Sequence, residues 1–250
     1  MRVEGTVGVL VASALLAAPW SCAAQSPTVV VPGDDAWALD RLAPFEATYR
    51  QMGFPMHVRF AREANDGWSF SMEMAGPSGT AIDHIGHAAD LSFRYRRFAF
   101  GAFRDEVLDA QATPDSIVLH RMPRNGTAEV PLREAHAVDG PVVDGTFMYW
   151  ALGALNTDGP VAFRVWGPTP DAFEIRTSGT LHPDGEEDVT LPSGAIVRAR
   201  VFAAETPSGR LRMWVSSAPP YLLQQAIESP DGTVTPIIEL GAPPPIDRPR

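Results

Sequence analysis

Along most of the chain, apolar and polar residues alternate with a period of two. Trp68, Phe70, Met72 and Met74 share one side of a segment whose other side is Ser69, Ser71 and Glu73, the pattern of a half-buried strand. Residues 45–52, 56–62, 91–100, 106–110, 116–122 and 161–166 read as strands on similar grounds. Between such runs one turn signature recurs: Pro77-Ser78-Gly79, Pro183-Asp184-Gly185, Pro192-Ser193-Gly194, Pro207-Ser208-Gly209 and Pro230-Asp231-Gly232, with Arg124-Asn125-Gly126 as a variant. Proline presets the first φ of a turn, Asp or Ser bonds back to the backbone, and glycine accepts a positive φ. The pattern predicts an antiparallel meander.

Two segments depart from this rhythm. Asp34 or Asp35 is placed to cap a short helix through Trp37, Leu39 and Leu42, which Pro44 stops. Farther along, Asp144 precedes the run Phe147-Met148-Tyr149-Trp150-Ala151-Leu152-Gly153-Ala154-Leu155, which is too apolar for a half-exposed strand. Met148, Leu152 and Leu155 lie at helical spacing, so residues 147–155 are expected to form a helix capped by Asp144 and buried against a sheet or across its mouth.

Strand pairing can be carried to single residues. A three-residue loop Pro207-Ser208-Gly209 sets Phe202 opposite Trp214 and Arg200 opposite Ser216. One face is then the core face Val197, Ala199, Val201, Ala203, Leu211, Met213 and Val215, and the other carries Arg198, Arg200, Arg210 and Arg212 around the two rings. Across Pro230-Asp231-Gly232, Ile227 meets Thr235 and Gln225 meets Ile237. Pro236 cannot donate to a ladder, which puts residues 233–240 at a sheet edge. The fold class expected is mainly β: a large antiparallel meander forming an open or half-closed barrel, with a short N-terminal helix and a mid-chain apolar helix.

The first residues read as an address. Arg2 supplies a positive start, residues 7–18 are apolar but too few to span a bilayer, and Ser21-Cys22-Ala23-Ala24 offers small residues to a signal peptidase. Cleavage near Ala23 or Ala24 is expected. Lipidation of Cys22, which would make an outer-membrane lipoprotein, is disfavoured by bulky Trp20. The expected organisation is a signal peptide at 1–24, a flexible lead at 25–33, one β-rich domain of roughly 200 residues at 34–240 and a proline-rich disordered tail at 241–250, giving a periplasmic protein without a transmembrane segment in its mature form. Cys22 is the single cysteine, which excludes a disulfide within the mature chain.

A formal net charge of −10 and a pI near 5.0 argue against a nucleic-acid partner, since phosphates call for a basic face. All 20 basic residues are arginine, so mechanisms built on a lysine amine are unavailable. The best metal-like run is Asp83-His84-Ile85-Gly86-His87. Its H-x-x-H spacing aligns two imidazoles only on a helix or tight turn, and a third ligand from His57, His120, His136 or His182 is needed. These histidines read as ordinary loop residues. Glu186-Glu187-Asp188 reads as a solvated charge run, and Ser78 lacks a nucleophile-elbow context. No cofactor-binding motif is present, and no catalytic residue is assigned.

Residues 150–155, Trp150-Ala151-Leu152-Gly153-Ala154-Leu155, are followed by Gly159 and a strand, then by 194–202, by 210–215 and by Pro219-Pro220-Tyr221-Leu222-Leu223-Gln224-Gln225. This series resembles a family of exported bacterial β-proteins of unknown function, in which a tryptophan-ended strand is followed by a proline and a Leu-Leu-Gln or Leu-Leu-Glu strand. Through that family the chain is distantly similar to the lipoprotein-carrier fold, a half-barrel of antiparallel strands with helices in its concave side that shields acyl chains in the periplasm. The likeness covers mainly residues 144–240, and it implies an apolar cavity. Phe147, Met148, Trp150 and Leu152 are the residues expected to line it. The function expected is therefore a non-enzymatic envelope protein holding a lipid or acyl chain. The alternatives are a hydrolase or metal-dependent enzyme centred on residues 83–87, or a scaffold for an envelope protein partner.

Overall fold

The computed structural model describes residues 26–76, 79–100, 106–123, 132–168, 173–206 and 209–241. The expected signal peptide, the tail beyond Gly241, Arg124-Asn125-Gly126 and the Pro77-Ser78 and Pro207-Ser208 loop residues lie outside these. In chain order the strands are β1 (Thr28–Val30), β2 (Phe45–Gln51), β3 (Phe54–Arg62), β4 (Trp68–Gly76), β5 (Gly79–His87), β6 (Phe93–Phe100), β7 (Glu106–Ala112), β8 (Ser116–Pro123), β9 (Leu132–Ala137) and β10 (Val143–Asp144). The helix α1 (Met148–Ala151) follows, and then β11 (Val161–Pro168), β12 (Phe173–Thr177), β13 (His182–Thr190), β14 (Ile196–Thr206), β15 (Gly209–Val215), β16 (Leu222–Glu228) and β17 (Val234–Leu240).

Thirteen of these strands form one antiparallel sheet in the order β13-β14-β15-β16-β17-β2-β3-β4-β5-β6-β7-β8-β9. The sheet does not close: among the described residues its two ends, β13 and β9, are not paired. It is a mainly β, open, barrel-like architecture with one short helix, as the alternation predicts. A second sheet of four strands has β11 paired in parallel with β1 and β10 and antiparallel with β12. Thr28–Val30, within the lead expected at 25–33, are thus held against Val161–Phe163.

One face of the large sheet supplies Met56, Val58, Phe60, Trp68, Phe70 and Ile85 to a core shared with Phe147, Trp150, Phe163 and Trp166 of the inner layer. Fully burying each such side chain contributes about 1.5–3 kcal/mol, so these contacts hold the inner layer against the large sheet.

The helical segments are shorter than their apolar runs suggest. The N-terminal one is a single 3-10 turn at Leu39–Arg41, and the Asp34 carboxylate accepts from the Val31 N–H rather than capping it. The mid-chain one is a four-residue helix continued by a 3-10 turn at Leu152–Ala154. Asp144 does act at its entrance: one carboxylate oxygen accepts from the N–H groups of Thr146 (2.7 Å) and Phe147 (3.1 Å). Gly153 lets the segment lie close against its neighbours, because a Cβ there would run into the Tyr221 ring and the Ser216 carbonyl.

Four further expectations change. Pro183-Asp184-Gly185 is not a hairpin turn; it is an irregularity inside β13, where the register with β14 shifts and Gly185 takes φ +85°. The β14–β15 register is shifted by one residue, with Thr206 opposite Gly209 and Phe202 opposite Met213. A slip of one residue exchanges the faces of one strand. Phe202 therefore joins Met213 and Val215, which lie in the main core as expected, while Ala199 and Val201 turn to the other face and form a separate cluster with Trp214, Leu223 and Ala226. Gln225 meets Ile238, because a bulge follows it, although Ile227 meets Thr235 as expected. Finally, β17 is not an edge strand: it also pairs with β2, joining the two halves of the meander. That pairing uses Ile238–Leu240, beyond Pro236, which keeps the proline nitrogen out of the shared ladder.

Candidate functional site

The chemistry-bearing residues lie in two places, a cleft at the side of α1 and a buried ionic cluster beneath its entrance. The cleft has a volume of about 300 Å³. Its apolar wall is Met72 from β4, Leu222 from β16, Ile238 from β17 and the rings of Tyr149 and Trp150. Gln51, Gln225, Thr146 and Arg176 give it polar points. Burial pushes the Tyr149 phenol above its ordinary pKa against the opposing pull of the Arg176 charge, so tyrosine and guanidinium share one rim. Arg176 also donates to the Gly167 carbonyl at 3.4 Å.

Behind the cleft the segment is anchored by rings. Trp150 meets Tyr49 edge-on at 4.8 Å and Phe70 at 5.3 Å. The buried Tyr49 hydroxyl in turn donates to the Leu222 carbonyl at 2.9 Å, tying β2 to β16. Phe147 is surrounded by Phe60, Phe70 and His87. All four residues expected to line a cavity, Phe147, Met148, Trp150 and Leu152, are at most 3% exposed. Of these only Trp150 reaches the cleft; the other three fill the concave side of the sheet.

The ionic cluster occupies core positions. On β5, alternation turns Asp83, Ile85 and His87 inward and His84 outward. Asp83 and His87 are thus strand residues of the core, not loop residues, and the two imidazoles of the H-x-x-H run cannot meet on one ion. Arg96, on the neighbouring β6, donates to both Asp83 oxygens (3.1 and 2.7 Å) and, at 3.1 Å, to the Asp144 oxygen not used at the helix entrance. The Asp144 backbone N–H points at His87 Nε2, 3.4 Å away. Asp83, Asp144 and His87 are fully buried and Arg96 is 5% exposed, so no substrate meets these groups in this conformation. The arrangement fastens β10 and the start of α1 to the wall of the large sheet.

Burial raises the Asp83 carboxyl to about 6, with the Arg96 charge opposing and the Asp144 charge adding to the rise. Burial, aided by the Arg96 charge, lowers His87 to about 3. No group of three metal-ligating side chains comes together among the described residues.

The arginine-rich face of β14 and β15 is divided by its register. Arg200 turns inward and donates to the Leu155 and Thr157 carbonyls at 2.7 and 2.8 Å. Arg212 lies over the Trp214 ring at 4.8 Å and pairs with Glu187, which also accepts from the indole N–H. Arg198 pairs with Glu186 and Asp188. The acidic run at 186–188 thus meets arginines of its own sheet.

No family model matches the chain, and no curated protein matches it. Among solved structures, the chain is similar to a β-barrel-like protein of a domain of unknown function, DUF1849, from Brucella abortus. Identity is 12%, the TM-score is 0.45, and the alignment covers 81% of this chain and 99% of that one. No helix among the described residues is long and apolar enough to cross a membrane.

Proposed function

We propose that the protein is a non-enzymatic envelope protein that holds one small amphipathic ligand, an acyl chain with a polar end, in the cleft beside Tyr149 and Trp150. The observation that carries this reading is the composition of the cleft: Met72, Trp150, Leu222 and Ile238 offer an apolar wall, and Gln51, Gln225 and Arg176 offer polar partners at the same opening. Pockets for small ligands combine these two features. A cleft of about 300 Å³ takes a single short chain, and the filled core behind it leaves the ligand at the side of the helix rather than deep in a barrel. The lipoprotein-carrier resemblance and the export signal read at 1–24 support an acyl ligand and a periplasmic setting.

The test uses protein recovered from a periplasmic extract, titrated with the neutral fluorescent probe N-phenyl-1-naphthylamine. Saturable one-to-one binding is expected. Thr146→Phe, which fills the cleft from a half-buried position and keeps the backbone N–H bonded to Asp144, should weaken it about tenfold, or roughly 1.4 kcal/mol, with little change in melting temperature. Absence of saturable binding, or equal binding by Thr146→Phe, would remove the ligand reading; recovery only from the cytosolic fraction would remove the exported one.

A further inference from the structure

His87 is the buried titratable group whose chemistry bears on this cleft, and its geometry fixes its state. The Asp144 N–H points at Nε2, so Nε2 is the acceptor and Nδ1 carries the hydrogen, where it has no partner. The ring lies 4.0 Å from that of Phe147. The charged group acting on it is Arg96 of β6, and Asp144 of β10 meets it through its backbone N–H; its neighbours across β4 and β6, Trp68 and Phe93, are neutral.

We propose that His87 is an acid-sensitive catch for the cleft wall: protonation turns Nε2 into a donor facing the Asp144 N–H donor, and the segment from Asp144 to Trp150 separates from the sheet. Two N–H groups cannot share that contact. Separation solvates Asp144 and leaves Asp83 beside Arg96 as a balanced pair on adjacent strands. The effect on ligand rests on the binding function proposed above; the movement of the segment does not.

The direction with pH follows from linkage. With its pKa lowered to about 3, His87 binds fewer protons when closed than when opened to its ordinary value near 6.5. Its contribution to the closed form is full above that ordinary value and is lost as pH falls toward 3. Asp83, raised to about 6, acts oppositely, favouring the closed form on acidification. It does so only to the extent that opening restores its ordinary pKa, and retained pairing with Arg96 limits this.

Two readouts decide the matter without ligand. Ring-nitrogen NMR of the parent should show a neutral imidazole with hydrogen on Nδ1 down to pH 5. Amide exchange at Thr146, Phe147 and Trp150, whose N–H groups are bonded in the closed form, corrected for its intrinsic pH dependence, should report an opening equilibrium about tenfold larger at pH 5 than at pH 7. His87→Gln, which retains an acceptor but does not titrate, should remove most of that increase. A ring charged at pH 6, hydrogen on Nε2, a flat opening profile in the parent, or the same increase in His87→Gln would overturn the catch. If His87→Gln does not fold, the two parent measurements decide it. Binding of the neutral probe at pH 5 and 7 then shows whether opening changes ligand affinity.

Discussion

Replacing Arg96 with leucine is expected to cost about 3–5 kcal/mol of folding stability at pH 8. Among the described residues the guanidinium is the one cation bonded to both Asp83 and Asp144, and all three groups are buried. Leucine removes the cation and leaves two carboxylates in the core, the arrangement in which a buried charge is most costly. The loss should shrink as pH falls, because Asp83, already raised to about 6 by burial against the opposing Arg96 charge, takes up a proton more readily once that cation is gone. Arg96→Lys retains charge but not the planar fork that reaches Asp83 through two nitrogens and Asp144 through the third, so it should fall between parent and leucine. Urea unfolding at pH 8 and pH 5 measures all three proteins. A loss below about 1 kcal/mol for Arg96→Leu at pH 8 would show that the cluster does not fasten the inner layer.

Trp150→Ala is expected to cost a similar amount, about 3–5 kcal/mol, by a different route. The indole is 3% exposed and packs on Tyr49 and Phe70, so truncation opens a hole between α1 and the wall of the sheet. Because the same ring lines the cleft, probe affinity should fall as well, measured at matched folded fraction. Its destabilisation should vary little between pH 5 and pH 8, since its ring partners Tyr49 and Phe70 do not change charge in that range; this separates it from Arg96→Leu. A variant within 1 kcal/mol of the parent would place the indole outside the core.

The fold was legible where side chains alternate in sequence. Trp68, Phe70, Met72 and Met74 declared the inner face of β4, and the turn at Pro230-Asp231-Gly232 set Ile227 opposite Thr235. Two departures have local causes. Pairing of Thr206 with Gly209 rather than Arg210 turned Phe202 into the core, away from Trp214, and the place of Pro236 ahead of Ile238–Leu240 left that stretch of β17 free to pair with β2 as well. The site was harder to read because its parts are distant in sequence. Met72, Leu222 and Ile238 come from three strands brought together by the β17–β2 junction, which no short-range pattern reports. Asp83 and His87 carried a usable signal that the metal spacing obscured: they bracket Ile85 with strand alternation, and a charge at an inward position demands a partner. Arg96, two residues before the core-packed Phe98, is that partner. The capping role of Asp144 was visible, but its second oxygen, committed to Arg96, was not.

The central claim, that one amphipathic ligand sits beside Tyr149 and Trp150, is tested most directly by mapping amide chemical shifts of labelled protein during titration with a neutral short-chain amphiphile. Saturable shifts concentrated on Gln51, Met72, Gly145 to Trp150, Leu222 and Ile238 are expected. Saturable shifts gathered elsewhere, for instance around Thr48, His57 and Leu191 on another groove of the sheet, or no saturable shifts at all, would contradict it.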